Sequence, residues 1–383
     1  MKILVVFIDM VRLDHLQIFN NEAHNTLLDN TFRQIGGTLF TKCYSPSPDT
    51  PRSLACFQTG LMPYFNGCDT RIKWPRYFVK EDVNTIFDHA AEKGFDVNLC
   101  VRQSYYDTGI FKFSKNENIH RYNKIDEFVE KGKFSSNSLS FIGTPDLHLA
   151  VDDFGATEKA ISHGFKEVNR MFDKYINTSF VDSFDHVFIF SDHGLLLESE
   201  WIRQKSKIEL LKDGRTKLLM LYHKKGDVGI NKDNRLASII DLYSTLEYLI
   251  GGEDLRQGYP FVCAPKREML HIEDHTDFSV KPEVMIKQWR IITNNDDILT
   301  DVYHTIRFDN VKADITPFEE YLGKNSPYYL AYVKQIRIKE LYDRLKQSSP
   351  TEYFIGDKRI GRRVSFIYKA FIRIKRIILS KII

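Results

Sequence analysis

The stretch KILVVFID, residues 2–9, is a run of six apolar residues, rich in β-branched types, that ends in an acid. Such a run predicts a strand that is buried on both faces, as in a parallel sheet. The stretch HVFIFSDHG, residues 186–194, has the same form, and helical patterns separate such runs along the chain. Strands that alternate with helices predict an α/β fold, with a doubly wound, mainly parallel sheet flanked by helices.

The same patterns predict the order of several other elements. Buried strands are expected at 95–101 and 216–223, and helices at 83–94, 158–176 and 235–252. Residues 102–145 are polar, aromatic and irregular, which predicts an insertion or a substrate lid rather than part of the sheet. No internal repeat and no low-complexity segment is visible in the sequence.

Two of the predicted strands end in residues that bind metals in many proteins. Asp9 follows the first strand, and Asp192 and His193 follow the strand that begins at 186. Because parallel strands end at one rim of a sheet, we expect these side chains to lie close together. The simpler alternative is a purely structural role, in which Asp9 and Asp192 cap the following helices and His193 only lines a loop.

Composition indicates a folded protein of 383 residues, 43% hydrophobic and 27% charged. Its five cysteines form no CxxC pair, which predicts reduced thiols rather than a disulfide framework. The first apolar run is too short for a signal peptide, and no stretch of about 20 apolar residues suggests a membrane span. These features predict a cytoplasmic location.

The chain divides into three predicted parts. Residues 1–264 are expected to form the α/β domain, and 265–350 a smaller C-terminal antiparallel lobe. Residues 351–383 form a basic amphipathic tail with nine Lys or Arg and no acid from Lys358 onward. Such a tail fits a helix on an anionic membrane surface, so a peripheral position on the inner face of the membrane is expected. Packing on the domain or on a partner is the alternative. The tail is too rich in isoleucine to predict nucleic-acid binding.

The stretch SPDTPRSLACFQTG, residues 47–60, places Thr50 at the start of a predicted helix. By itself it reads as a Pro-rich turn that caps a buried helix. A helix start also offers free N–H groups and a positive dipole end, which favour an anion. Thr50 therefore becomes a candidate nucleophile only if acids and a histidine elsewhere in the chain lie beside it.

Six stretches in series resemble the alkaline phosphatase superfamily, in its sulfatase-like branch. They are VVFIDMVRLDHL, SPDTPRSLACFQTGLMPYFNG, FIFSDHG, GRTKLLMLYHKKGD, SIIDLYSTLEYLIG and RQGYPF. The resemblance covers roughly residues 1–262 and implies the α/β fold of that family. It also implies that Thr50 is the nucleophile, and that Asp9, Thr50, Asp192 and His193 hold a divalent metal ion.

Departures from the sulfatase pattern refine this expectation. Sulfatases carry a Cys or Ser that becomes formylglycine where this chain has Thr50, so the resemblance is to members with a threonine nucleophile. Met10 stands where sulfatases have a second Asp, which makes calcium less expected than zinc, manganese or magnesium. The family's GKWHLG element is missing as well, so the sulfate-binding apparatus is in doubt.

Four further residues are predicted to bind the substrate, and three of them have a simpler alternative. Arg52 lies next to the nucleophile, and His148 falls in a stretch that resembles a substrate-binding segment of the family. His148 is equally well explained as a packed histidine. Lys217 precedes a buried strand and resembles the family's basic position, or is a solvated lysine. Arg12 either faces the site or pairs with Asp14.

The function expected from the resemblance is a metal-dependent phospho- or sulfo-ester hydrolase or a phosphotransferase. A membrane-touching tail suggests a cell-envelope glycan or a lipid-linked precursor as substrate. The alternative is a catalytically impaired sulfatase-like protein that serves as a membrane-associated binding or scaffold component. A nucleotide-binding Rossmann protein is disfavoured because no GxGxxG follows a strand.

Overall fold

A computed structural model of the chain describes residues 1–68, 79–107, 109–112, 114–203, 211–263, 267–277, 285–293 and 297–306. The strands in this part of the chain are β1 (Lys2–Ile8), β2 (Gly37–Tyr44), β3 (Asp96–Cys100), β4 (Ile119–Tyr122), β5 (Ser138–Thr144), β6 (His186–Phe190), β7 (Met220–Lys224), β8 (Ile230–Ser238), β9 (Met269–Asp277), β10 (Met285–Thr293) and β11 (Asp297–Ile306).

The helices of the described ranges connect these strands. They are α1 (Leu27–Ile35), α2 (Thr50–Thr59), α3 (Pro63–Asn66), α4 (Ile86–Glu92), α5 (Gln103–Asp107), α6 (Ile125–Lys131), α7 (Asp146–Phe154), α8 (Glu158–Tyr175), α9 (Thr178–Val181), α10 (Glu198–Arg203), α11 (Asp213–Thr216) and α12 (Ile239–Leu249), with a 3₁₀ turn at Leu13–His15. No helix in the described part is long and apolar enough to cross a membrane.

The first eight strands form a mixed, mainly parallel sheet in the order β4-β3-β5-β1-β6-β7-β2-β8. Strand β1 runs parallel to both of its neighbours, with Val5 opposite Phe141 of β5 and Phe188 of β6. Only β7, among these described strands, runs antiparallel to both of its own neighbours. The predicted α/β fold with a mainly parallel sheet flanked by helices is therefore confirmed, with one reversed strand.

Strand β1 has no polar side chain between its ends because both of its faces are covered. Val5 and Phe7 pack in one apolar cluster with Phe57 of α2, and the cluster extends to α4 and α12. Val6 packs in a second cluster, on the other face, with Phe172 of α8 and residues of α1. Burial of each such side chain contributes about 1.5–3 kcal/mol, so the sheet is stabilised from both faces.

The expectation that residues 102–145 form an irregular insertion is wrong. They contain α5, β4, α6 and β5, and β5 lies in the middle of the sheet beside β1. All seven residues of β5, SLSFIGT, are buried. Its two serines and glycine lower the apolar content, so the sequence lacks the continuous apolar run that marks β1. The predicted helix at 235–252 also begins late, because residues 235–238 complete β8.

Strands β9, β10 and β11 form a separate antiparallel sheet. Leu270, Ile272 and Ile292 from this sheet pack with Tyr44 and Leu236 of the main sheet. The domain boundaries at 264 and 350 stay predictions. The basic tail at 351–383 lies outside the described residues.

Candidate active site

Three predicted metal ligands meet at the carboxyl rim of the sheet. Asp9 directly follows β1, and Asp192 and His193 follow the neighbouring strand β6. Their ligand atoms lie within 4.8 Å of one another, and all three side chains are buried. The N–H of Asp9 donates to the carbonyl of Thr144 at the end of β5 at 3.0 Å. The parallel order β5-β1-β6 thus brings together residues that are far apart in sequence.

Helix α2 delivers Thr50 to this cluster. Thr50 is the first residue of the helix, and the carboxylate of Asp49 caps it by accepting from the N–H of Arg52 at 3.2 Å. The Thr50 hydroxyl oxygen lies 3.3 Å from Oδ1 of Asp9 and 3.2 Å from Nε2 of His193. All ten residues of α2 are buried, which holds the helix in a fixed place.

In Asp192 and in His193, one side-chain atom is hydrogen-bonded to the backbone and the other faces the cluster. Oδ1 of Asp192 accepts from the N–H groups of Met10 at 3.1 Å and His193 at 2.8 Å. Its Oδ2 is buried, lies 3.4 Å from Nε2 of His193 and accepts no hydrogen bond from the described residues. Nδ1 of His193 lies 2.6 Å from the carbonyl of Gly194. Because a carbonyl only accepts, Nδ1 carries the proton and Nε2 keeps its lone pair.

Tyr105 of α5 is a site residue that sequence reasoning missed. Its hydroxyl donates to Oδ2 of Asp9 at 3.0 Å, while Oδ1 of Asp9 faces Thr50. Burial and the nearby Asp9 charge hold the pKa of Tyr105 far above its ordinary value, so its phenol stays a donor. The position of Tyr105 just after strand β3 was the available signal, since other site residues also follow strands.

Burial of the two carboxylates makes the cluster a strong site for positive charge. Burial, followed by the charge of Asp192, raises the pKa of Asp9 to about 6. Burial also raises the pKa of Asp192 to about 6, and burial lowers the pKa of His193. A divalent cation fits this set, because it would compensate two buried charges and bind the free Oδ2 of Asp192. Mixed oxygen and imidazole donors suit zinc or manganese, and the carboxylates suit magnesium.

Met10 has a backbone conformation that is unusual for its residue type. Its φ is +63°, in the left-handed region, which costs roughly 1–2 kcal/mol for a residue other than glycine. This conformation aims the Met10 N–H at Asp192, and the Met10 side chain packs in the apolar cluster on one face of the sheet. Met10 therefore offers the site a backbone donor and no metal-binding side chain.

The two arginines predicted to bind substrate are instead held by acids of the chain. Arg52 is fully buried and ion-paired with Asp49, the residue that caps α2. Arg12 is 5% exposed and ion-paired with Asp14 and Glu200. These contacts favour the alternative pairing of Arg12 with Asp14. A substrate-binding role for either arginine stays a prediction.

His148 and Lys217 remain open to a ligand to different degrees. His148 lies in the first turn of α7, with 46% of its side chain exposed and Nδ1 3.5 Å from Oδ2 of Asp9. Its Nε2 lies 3.7 Å from Oδ2 of Asp152. It therefore lies at the mouth of the site, shortly after the end of β5. Lys217 is half-buried and pairs through its backbone with Tyr44, which precedes the loop to Thr50.

Comparison with known proteins gives likenesses in structure only. No family model matches the sequence, and no curated protein matches it either. The fold is similar to that of a 2-O GAG sulfatase, with a TM-score of 0.60 at 14% identity, covering 92% of this chain and 93% of the other. It is also similar to the phosphonate monoester hydrolase of Agrobacterium radiobacter, with a TM-score of 0.54 at 12% identity, covering 90% and 95%.

A third similar structure is a protein in the alkaline phosphatase superfamily from Vibrio parahaemolyticus. Its TM-score is 0.51 at 16% identity, and the match covers 82% of this chain and 81% of the other. At such identities the likeness establishes the fold alone. The chain has an α/β fold similar to the folds of a sulfatase, a phosphonate monoester hydrolase and a protein in the alkaline phosphatase superfamily. The resemblance read from the six sequence stretches is confirmed at that level.

Proposed function

We propose that this protein is a metal-dependent hydrolase of phosphate or sulfate esters, or a phosphotransferase, in which Thr50 is the nucleophile. The observation that carries the proposal is the contact of the Thr50 hydroxyl with both Asp9 and His193, at the start of a buried helix. Similar folds belong to proteins named as a sulfatase and a phosphonate monoester hydrolase, both of which act on esters.

Asp9, Asp192 and His193 would hold the cation, and the Thr50 hydroxyl contacts Asp9 and His193 of this group. A bound divalent cation is a Lewis acid that stabilises an alkoxide near neutral pH. The positive end of the α2 dipole lies at Thr50 and favours the anionic group of the ester.

The Thr50 hydroxyl would lose its proton to solvent, and its oxygen would attack phosphorus, forming a phospho-threonine and breaking the bond to the leaving alcohol. His148, at the mouth of the site, is the candidate donor of the proton that this alcohol takes up. Water then releases the phosphoryl group in a hydrolase, and an acceptor hydroxyl releases it in a transferase. The same scheme applies to a sulfuryl group.

Phosphate is the preferred substrate group, because threonine cannot become formylglycine. A cell-envelope glycan or a lipid-linked precursor is the substrate class we propose. This choice rests on the expected cytoplasmic location and on the basic tail as a membrane contact, and both stay predictions.

The test combines metal analysis with turnover of generic phosphate monoesters, phosphate diesters and sulfate esters. Wild type is expected to bind one divalent ion per chain and to cleave a phosphate ester. Thr50→Ala should lower the rate roughly a thousandfold or more, because the nucleophile is gone. Thr178→Ala is the matched control, since Thr178 is the exposed first residue of α9 and lies in no part of the site.

The scaffold alternative makes the opposite prediction. A protein without turnover would cleave none of the three ester classes at a rate that depends on Thr50. Absence of bound metal together with that result would overturn the proposal.

A further inference from the structure

Arg12 is a buried arginine beside the site, and the hydrogen bonds of its guanidinium hold two acids and one backbone carbonyl. Its Nε and Nη2 donate to the two carboxylate oxygens of Asp14 at 2.6 and 2.7 Å. Its Nη1 and Nη2 donate to Glu200 at 2.8 and 3.0 Å. Nη1 also donates to the carbonyl of Leu195 at 2.7 Å. We call Arg12, Asp14 and Glu200 the Arg12 clamp.

Through its hydrogen bond to the Leu195 carbonyl, Arg12 holds the backbone just after His193. Leu195 lies two residues beyond His193, and its N–H donates to the carbonyl of Gly214 at 2.8 Å. The N–H of Gly194 donates to the carbonyl of Arg215, also at 2.8 Å. The segment 193–195 is thus fixed on one side by Arg12 and on the other by residues 214–215.

Two glycines allow these three pieces of chain to approach so closely. A Cβ on Gly194 would lie 2.2 Å from the carbonyl oxygen of Gly214, and a Cβ on Gly214 would lie 2.7 Å from Cζ of Arg12. A Cβ at Gly194 would require the backbone to move, and a Cβ at Gly214 would displace the Arg12 guanidinium. The guanidinium therefore packs directly on the backbone that contacts Gly194.

The imidazole of His193 takes its orientation from the same backbone. Nδ1 is hydrogen-bonded to the carbonyl of Gly194, which places Nε2 beside Thr50 and Asp192. A shift of the Gly194 peptide would turn the ring or release its Nδ1 proton. Groups that orient a metal-binding histidine in this way strongly affect metal affinity.

We propose that Arg12 is a positioning residue that holds the segment 193–195, and through it Nε2 of His193, in the metal-binding geometry. The proposal rests on the proposed function for its metal and explains why a residue expected to contact substrate is fully engaged elsewhere. The clamp extends further, because His15 joins Asp14 to Glu158 at the start of α8.

The experiment measures two properties of Arg12→Gln in the full chain. The first is affinity for Mn²⁺ and Zn²⁺, by titration against a competing chelator. The second is the tautomer of His193, from long-range ¹H–¹⁵N spectra of the metal-free protein. We expect affinity to fall by roughly tenfold or more and the pure Nδ1–H tautomer to become a mixture. Arg12→Lys keeps the charge but not the planar guanidinium, so its metal affinity should lie between those of wild type and Arg12→Gln.

Phe172→Leu is the control for lost stability. Phe172 is buried on α8 against Phe32, away from the rim, so this variant weakens the core without touching the clamp. Its metal affinity and His193 tautomer should match those of wild type. If Arg12→Gln does not fold, Glu200→Gln removes the charge and one of the two acceptor oxygens that face Arg12, and it is expected to show the same two changes to a smaller extent.

The outcomes separate this inference from the proposed function. Metal binding by wild type, with unchanged affinity and tautomer in the folded clamp variants, overturns the role of Arg12 and leaves the proposed function standing. A wild type that binds neither metal overturns the metal site. In that case the tautomer still decides whether Arg12 positions His193.

Discussion

Tyr105 and His148 both approach Oδ2 of Asp9, while Oδ1 faces Thr50. The tyrosine hydroxyl lies at 3.0 Å and Nδ1 of the histidine at 3.5 Å. A carboxylate held through one oxygen presents the other in a fixed direction. At the scale of single residues, the site is therefore organised by partners that lie just outside the cluster of donor atoms.

We expect Tyr105→Phe to weaken metal binding by roughly tenfold. The ring keeps its edge contact with Phe111, and only the donor to Asp9 is lost. Stability should change by no more than about 1–2 kcal/mol. Metal titration and thermal unfolding of the variant measure both effects.

Tyr106→Phe is the matched control for this prediction. The Tyr106 hydroxyl donates to the carbonyl of Leu99 at 3.2 Å and does not touch the cluster. Equal metal affinity in Tyr105→Phe, Tyr106→Phe and wild type would show that Tyr105 does not orient Asp9.

Residue types and strand ends were enough to predict where Asp9, Asp192 and His193 meet, because parallel strands share a rim. The partners of Arg12 and Arg52 could not be predicted in the same way. An arginine side chain reaches several acids, and which one it meets depends on how distant loops pack. For Arg12 the alternative partner Asp14 was visible in sequence, whereas Glu200 became a neighbour only through folding.

At the scale of elements, a buried hydroxyl connects helix α2 to the segment that follows strand β6. Oγ of Ser53 donates to the carbonyl of Asp192 at 2.7 Å and accepts from Oγ of Ser45 at 2.8 Å. Ser53 lies one turn after Thr50 in the helix. This bond therefore sets how far the helix start stands from the end of β6.

Ser53→Ala is expected to destabilise the protein by about 1–3 kcal/mol, because it leaves buried polar groups unpaired. It should also lower the rate of ester cleavage, because Thr50 is no longer held at a fixed distance from Asp192. Thr59→Val removes a buried hydroxyl at the far end of the same helix, where Oγ1 donates to the carbonyl of Ala55. Thr59→Val is expected to lose a similar amount of stability and to keep the turnover rate of wild type. Equal turnover in the two variants would contradict this role for Ser53.

The sequence predicted strands β1 and β6 well, because long apolar runs have one simple explanation. It did not predict β5, whose serines and glycine are buried among apolar neighbours. It also did not predict the direction of β7, because an apolar run does not show whether the strand is parallel or antiparallel to its neighbours. Both features depend on which strands become neighbours, and this pairing is determined by contacts between segments that are far apart in the sequence.

At the scale of the whole molecule, metal binding and stability are expected to depend on pH together. Burial raises the pKa of Asp9 and of Asp192 to about 6 in the folded protein. The folded state therefore binds more protons than the unfolded chain between about pH 4 and 6. For these two groups, the stability of the metal-free protein falls as pH rises through that range.

A divalent ion should reverse this trend, because it favours the ionised carboxylates and binds only the folded state. We expect Mn²⁺ or Zn²⁺ to raise the melting temperature more at pH 7 than at pH 5. Thermal unfolding with chelator and with metal at both pH values measures the difference. Asp192→Asn should lose most of the metal-induced rise, and a rise of equal size in that variant would argue against the cluster as the metal site.

The central place of β1 in the sheet has a consequence for synthesis of the chain. Lys2 lies opposite Ser138, and Ile3 lies opposite His186. Both partners of β1 follow it in the chain, so β1 is synthesised before either of them. Until they are synthesised, six apolar residues without proline or charge are exposed as a segment prone to aggregation. Closing such long loops is slow, so early chaperone contact at β1 is where we expect the yield of folded protein to be decided.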